Sequence, residues 1–138
     1  MNTLKINETS QKGITLKNHY NKRKNKKLFS CIHDEKSNTT TIISEINRGT
    51  IEIAAEFKEF VKSLLDEKKH NLIIDLENVY FIDSTFYGTL VYILKRVTKA
   101  NGYMKLVVDF ESSPKLLEVN KLDTLFDIYP SLLDALKD

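Results

Sequence analysis

The stretch "LIIDLENVYFIDSTFYGTLVYILKRV", residues 72–97, decides how this chain folds. It opens with an apolar run that does not alternate with polar residues, which is typical of a strand covered on both faces. After Ile82 and Asp83 come two hydroxyl residues, Ser84 and Thr85, and a helical pattern of apolar residues begins at once. The stretch therefore predicts a buried strand, a short turn and an amphipathic helix.

Strand and helix patterns alternate on both sides of this stretch. Residues 28–34 and 39–46 are rich in β-forming side chains and are separated by the polar "EKSN", which predicts a hairpin. Residues 51–69 place their apolar side chains along one stripe of a helix. Downstream, "NGY" at 101–103 ends the second helix, and a strand, a short helix, an extended segment and a terminal helix follow. The order β-β-α-β-α-β-α-(β)-α predicts an α/β domain in which helices pack against one mixed, mostly parallel sheet.

Length and composition limit the class of protein. A chain of 138 residues with 41% hydrophobic and 29% charged residues is ordinary for a single globular domain. The single cysteine, Cys31, cannot form an internal disulfide. The N-terminus carries no apolar signal core, and no apolar run approaches the length of a membrane span. We therefore expect a cytoplasmic protein without a transmembrane segment.

Charge is distributed unevenly along the chain. Residues 1–27 carry eight Lys or Arg against one acid, Glu8, whereas residues 28–138 carry 13 basic and 18 acidic side chains. We therefore expect a basic, flexible N-terminal arm, residues 1–27, before a mildly acidic domain, residues 28–138. Residues 17–27 could bind nucleic acid or an anionic surface through their charge. Short basic runs are weak signals, however, and a solvated tail is the favoured interpretation.

The residue patterns that indicate catalysis or cofactor binding are absent from the sequence. The four glycines form neither a phosphate-binding loop nor a dinucleotide fingerprint. The three histidines are far apart and, with one cysteine, have no metal-ligand spacing. No serine lies in a Gly-x-Ser-x-Gly turn. We therefore expect no enzyme, no cofactor, no metal site and no small-molecule substrate.

Two interpretations of Ser84 follow from its place at the start of a helix. As an N-cap, its hydroxyl would accept a backbone N–H and stabilise the helix by about 1 kcal/mol, and Asp83 would suit the positive end of the helix dipole. As a phosphoacceptor, it would add about −1.5 to −2 of charge where backbone N–H groups already point. A cap does not explain the aromatic Phe86 and Tyr87 in the first turn, where exposure to water is expected. Local physical chemistry allows both interpretations.

A series of motifs in residues 72–136 follows the order of a known domain. They are a strand ending in Asp-Leu, the turn "VYFIDST", Gly88, a helix closed by Asn-Gly, the short "LLEVNKLDTLF" helix and turn, and the terminal "SLLDAL". In this order they resemble the STAS domain of bacterial anti-sigma factor antagonists. The resemblance is good over residues 72–136, looser over 28–71, and does not cover the basic arm. It implies a STAS-like fold for residues 28–138.

The resemblance also implies a function, which is partner switching. In that family, the serine after the turn aspartate is phosphorylated by an anti-sigma factor that is itself a serine kinase. The unphosphorylated antagonist binds this anti-sigma factor, which then releases its sigma factor. Phosphorylation blocks the binding, and a serine phosphatase restores it. By position, Ser84 is the phosphoacceptor, with Asp83 and Thr85 beside it.

Two departures from the family pattern bear on the choice of partner. Phe86 and Tyr87 stand where the family usually has Gly-Leu and would enlarge the docking surface, although Tyr87 would suit the core equally well. In "SEINRGT", Asn47 takes the place of an acid, whereas Glu45 is kept. We therefore expect the partner-binding surface around Ser84 to comprise Glu45, Asn47, Asp83, Thr85, Phe86 and Tyr87.

Two other functions are compatible with the sequence. One is a STAS module that does not switch and serves as a scaffold, or as a subunit of a larger signalling or lipid-transport complex. The altered "STFYG" turn favours this alternative. The other is a nucleic-acid or membrane-surface binder, which would show strongly salt-dependent binding that is lost when the arm is deleted.

Overall fold

The computed structural model describes residues 27–138. The predicted basic arm lies outside these residues, except for Lys27. The elements in chain order are β1 (Phe29–Asp34), β2 (Thr39–Ser44), β3 (Arg48–Gly49), α1 (Ile51–Asp66), β4 (Asn71–Asp75), β5 (Phe81–Ile82), α2 (Ser84–Lys99), β6 (Tyr103–Val107), α3 (Lys115–Glu118), a 3-10 helix (Leu122–Thr124), β7 (Asp127–Tyr129) and α4 (Leu132–Lys137).

Five of these strands form one sheet in the order β1-β2-β4-β6-β7. β1 and β2 pair antiparallel as a hairpin, while β2 with β4, β4 with β6 and β6 with β7 pair parallel. Parallel neighbours need crossover connections, and α1 and α2 provide two of them, because each helix follows one strand and precedes the next. The predicted α/β fold with a mixed, mostly parallel sheet is therefore confirmed.

The sheet is covered on both faces. On one face, the apolar stripes of α1 and α2 pack together over the sheet and form the main core. Leu72 and Ile74 of β4 point into this core, whereas Ile73 points to the opposite face, where Ala135 of α4 covers it. Because both faces of β4 are buried, its sequence does not alternate between apolar and polar residues.

Two strands that the sequence patterns did not predict form a separate pair. β3 runs parallel to β5, with Arg48 opposite Phe81 and Gly49 opposite Ile82. Each strand has only two residues, which is too short to produce a recognisable alternation. The pairing places the segment before α1 alongside the segment before α2, so the N-termini of both helices lie at the same place.

The structure at the end of α2 explains why the predicted stop signal is Asn101-Gly102. Asn101 takes a left-handed conformation with φ of 63°, and the Gly102 N–H donates to the Val97 carbonyl at 2.8 Å. A Cβ placed on Gly102 would lie only 1.9 Å from the carbonyl oxygen of His70. Glycine is required here by the close approach of two backbone segments.

We expect Gly102→Ala to lower the free energy of unfolding by about 1–3 kcal/mol, because the backbone around His70 must move. Gly88→Ala is the matched control: an added Cβ there meets no atom within 4 Å in the middle of a helix. That change should raise stability by about 0.5–1 kcal/mol. Urea unfolding followed by far-UV circular dichroism measures both, and equal midpoints for the two variants would contradict the close approach.

Candidate functional site

The Asp83 carboxylate lies where the N-termini of the 16-residue helices α1 and α2 meet. Its Oδ1 accepts a hydrogen bond from the Phe86 N–H at 2.9 Å, and its Oδ2 accepts one from the Ile51 N–H at 2.8 Å. The Asp83 N–H in turn donates to the Gly49 carbonyl at 2.9 Å. A single side chain therefore binds the first turn of both helices.

The prediction that Ser84 caps α2 is wrong. Asp83 has an extended backbone, with φ −90° and ψ 176°, and is the N-cap, whereas Ser84 is the first residue of the helix. The carboxylate supplies the hydrogen bond that a serine cap would have supplied, and its charge suits the helix dipole. Ser84 is exposed, and its hydroxyl forms no hydrogen bond within residues 27–138. Its side chain is therefore not needed to hold the helix.

The expectation that Phe86 belongs to the exposed surface is also wrong. Its side chain is 0% exposed and stacks on Phe57, with the ring centroids 4.8 Å apart. It also lies directly over Gly49, where an added Cβ would be 2.7 Å from the Phe86 ring. Phe86 therefore belongs to the apolar stripe of α2, because it lies on the same helical face as Leu90.

Tyr87 and Thr85 remain at the surface. Tyr87 is half-buried: it packs against the main core, and its ring meets Phe126 edge to face at 5.9 Å. Thr85 is exposed beside Ser84. The sequence left open whether Tyr87 lies in the docking surface or in the core. In the structure it does both, because one part of the residue packs in the core and another part is exposed.

Asn47 and Glu45 lie before β3 and are both exposed. The Asn47 side-chain amide donates to the Asn78 carbonyl at 3.3 Å, and the Asn47 carbonyl accepts from the Tyr80 N–H at 2.9 Å. These bonds attach the segment before α1 to the segment before α2, so Asn47 lies on the same side of the molecule as Asp83. Glu45 is attached to the start of the hairpin instead, since its N–H donates to the Leu28 carbonyl at 2.7 Å.

Sequence reasoning missed four residues beside this turn. Ile51, Tyr80 and Phe81 are large apolar residues that are 61%, 51% and 39% exposed, respectively. The Arg48 guanidinium carbon lies 4.3 Å from the ring centroid of Phe81. The sequence did contain a signal that one of these aromatic rings is exposed. Tyr80 and Phe81 are consecutive, and consecutive side chains of an extended segment point to opposite faces, so both cannot point inward.

A groove lies on the opposite face of the sheet, between the hairpin and α4. One part is apolar and the other is lined by polar groups, among them Lys105 and Tyr103. The polar groups are paired within the protein: Lys105 Nζ donates to the Ala135 carbonyl at 2.8 Å, and a hydrogen bond to the Asp138 carboxylate raises the pKa of Tyr129 to about 12. These polar groups therefore hold α4 against the sheet.

Two further findings apply to residues 27–138. They contain no group of three or more His, Cys, Asp or Glu side chains that could hold a metal ion. None of their helices combines the length and the apolar character that crossing a membrane requires.

We expect Asp83→Ala to lower the free energy of unfolding by roughly 2–3 kcal/mol, because both helices lose a hydrogen bond to a charged group. Ser84→Ala is the matched control and should change stability by less than about 0.5 kcal/mol. Urea denaturation of the two variants beside wild type measures the difference. A larger loss for Ser84→Ala than for Asp83→Ala would show that the serine, and not the aspartate, is the cap.

Comparisons with known proteins agree with this architecture. The model of the STAS domain family matches residues 35–135. A Thermotoga neapolitana protein named as a putative anti-sigma factor antagonist is 33% identical over 89 residues, which are 64% of this chain and 79% of the relative. The crystal structure of a Thermotoga maritima protein of the same description is 27% identical, with a TM-score of 0.65, and the alignment covers 79% of this chain and 92% of that one.

The Bacillus protein SpoIIAA, solved in its phosphorylated form, shares the fold alone. It is 13% identical, with a TM-score of 0.58, over 79% of this chain and 96% of its own. The family match spans well over half of the chain, and the sheet and helices it requires are present. The chain therefore belongs to the STAS domain family, in the group of the anti-sigma factor antagonists.

Proposed function

We propose that this protein is a cytoplasmic anti-sigma factor antagonist that acts by phosphorylation-controlled partner switching. When Ser84 is unphosphorylated, the protein binds a kinase-type anti-sigma factor, which then releases its sigma factor. That kinase phosphorylates Ser84 and ends the binding, and a serine phosphatase restores it. The protein is thus a ligand and a substrate in transcription regulation, not an enzyme.

The observation that carries this proposal is the division of roles between Asp83 and Ser84. The side-chain hydrogen bond that caps α2 comes from the Asp83 carboxylate, so the exposed Ser84 hydroxyl can be modified without the loss of a helix cap. The backbone N–H groups of the first turn and the positive end of the helix dipole would favour a phosphate at this position. The fold can therefore tolerate both the modified and the unmodified serine.

A phosphate on Ser84 would act mainly on the docking surface. It would add about −1.5 to −2 of charge directly beside the Asp83 carboxylate, so two neighbouring groups would be negative. A partner that binds the neutral hydroxyl would then have to desolvate this charge or be repelled by it. Thr85 and Tyr87 are close to Ser84 in the chain, and Asn47 is brought near it by its hydrogen bond to Tyr80, so all three can belong to the docking surface. Phe86 is excluded from that surface because its side chain is buried.

The burial of Phe86 also bears on the alternative, a STAS module that does not switch. That alternative was favoured by the aromatic pair in place of Gly-Leu, because two exposed rings beside Ser84 would alter the docking surface. Since Phe86 packs on Phe57 inside the core, only part of Tyr87 changes the surface. The departure at residues 86–87 therefore gives little support to a scaffold function.

The first experiment is affinity capture from the native lysate with Ser84→Ala and Ser84→Asp as paired baits, followed by mass spectrometry. The Ala variant cannot be phosphorylated and should retain an ATP-binding anti-sigma factor. The Asp variant carries a permanent charge and should bind that purified partner at least about tenfold more weakly. Recovery of the same partners on both baits would contradict partner switching.

Phosphorylation by the purified partner tests the proposal at the level of the residue. Incubation with radiolabelled ATP should label the wild-type protein and leave Ser84→Ala unlabelled. Thr85→Ala is the matched control, because it removes the neighbouring exposed hydroxyl and should still be labelled. Label on the Ser84→Ala variant, or none on the wild type, would show that Ser84 is not the phosphoacceptor.

A further inference from the structure

Arg48 is an exposed cation held over aromatic rings. Its guanidinium carbon lies 4.3 Å from the ring centroid of Phe81 and 5.9 Å from that of Tyr80. The backbone fixes this arrangement, because the parallel pairing of β3 with β5 sets Arg48 opposite Phe81 and the Tyr80 N–H donates to the Asn47 carbonyl. The position of the arginine is therefore determined before any partner binds.

Arg48 has no ion-pair partner in the part of the chain that the structure describes. The salt bridges found there join Lys69 to Glu67 and Arg96 to Asp66. An arginine stacked on a ring still presents the N–H groups at the edge of its planar guanidinium, which suit a carboxylate in a bidentate geometry. Because stacking already restricts the side chain, binding a carboxylate costs less conformational entropy.

An apolar surface surrounds this cation. Ile51, Tyr80 and Phe81 are each more than a third exposed; Ile51 begins α1 two residues after β3, and Tyr80 and Phe81 lie at the start of β5. Single exposed apolar residues are common on proteins, whereas a cluster of them beside an arginine is typical of the centre of a protein interface.

The cluster is continuous with the Ser84 turn. The Ile51 N–H donates to the Asp83 carboxylate, so the start of α1 lies against the residue before Ser84. Ser84 is three positions after Phe81 in the chain, and their Cα atoms can therefore be no more than about 11 Å apart. A protein that covers Ser84 would also cover at least part of the cluster, since a typical interface buries about 800 Å² on each partner.

We propose that Arg48, Ile51, Tyr80 and Phe81 form an anchor for the same protein that recognises Ser84. The anchor receives an acidic side chain of that partner on Arg48 and apolar side chains on the surrounding rings and Ile51. This inference rests on the proposed function and adds to it the chemistry of the partner surface. The anchor determines which anti-sigma factor binds, while Ser84 determines when it binds.

The test uses the purified kinase-type anti-sigma factor that the Ser84→Ala bait retains, with Kd measured by isothermal titration calorimetry against the full chain. Arg48→Ala should weaken binding at least about tenfold, and Arg48→Lys should weaken it less, because it keeps the charge but loses the bidentate geometry. The Kd of wild type should also rise more steeply with salt than that of Arg48→Ala.

Lys58→Ala is the matched control. Lys58 also lies over an aromatic ring, with its Nζ 4.3 Å from the ring centroid of Tyr92. It is far from the anchor, because it lies two helical turns beyond Ile51 in α1. It should change Kd less than about twofold. Urea midpoints of all variants should equal that of wild type, since Arg48 and Lys58 are exposed. If Arg48→Ala proves unstable, Arg48→Lys supplies the comparison of affinities.

The outcomes separate the anchor from the switch. If Ser84→Asp weakens binding but Arg48→Ala and Arg48→Lys bind like wild type, the anchor proposal is wrong and the proposed function stands. The same conclusion applies if Arg48 contacts only the phosphate on Ser84, because binding of the unphosphorylated protein would then be unchanged. If no kinase-type anti-sigma factor binds wild type, the proposed function and the anchor are both wrong.

Discussion

The carboxylate of Asp83 is the interaction on which this end of the molecule depends. It accepts hydrogen bonds from the first turns of both α1 and α2, whose donors are 32 and 3 residues away in the chain. Hydrogen bonds to a charged acceptor are among the stronger ones in proteins. Because one rigid group holds both helices, the starts of α1 and α2 cannot move independently, and the surface between them keeps one shape.

This arrangement separates the structural role of Asp83 from the regulatory role that we propose for Ser84. In a serine that served as the cap, phosphorylation would esterify the capping oxygen itself, and the helix would then depend on the phosphate oxygens as acceptors. Here the aspartate holds the helix, and the neighbouring serine is free at the surface. The negative charge of the cap also makes a second negative charge beside it more effective against a docked partner. The same carboxylate thus stabilises the fold and, under the proposed function, would sharpen the response to phosphorylation.

The unusual aromatic pair after the turn is accommodated inside the molecule. Phe86 fills the space above Gly49, which has no side chain, and stacks on Phe57 of α1. The enlargement at residue 86 is therefore taken up by the core. Exposed aromatic residues lie instead before the turn, where Tyr80 and Phe81 are at the surface beside Arg48. Partner choice would then depend on residues outside the turn motif.

Much of the architecture could be predicted from the sequence, because it depends on neighbours along the chain. The unbroken apolar run of β4 indicated a strand buried on both faces, the stripes of α1 and α2 indicated helices packed on a sheet, and "NG" marked the end of α2. The location of the candidate site in the Ser84 turn followed in the same way, from the order of these elements and the family they resemble.

The tertiary structure decided what depends on residues distant in the chain. Asp83 and Ser84 are both good N-caps, and Asp83 is the one that also bonds Ile51 across the β3–β5 pair. Phe86 turned inward because Gly49, in another segment, left room for its ring. Local periodicity carries no record of such contacts, since each needs two segments to meet in space. The sequence by itself therefore determined the helices, the strands of the main sheet and their order, and only the folded structure decided the β3–β5 pair, which side chain caps α2, which is buried and which is exposed.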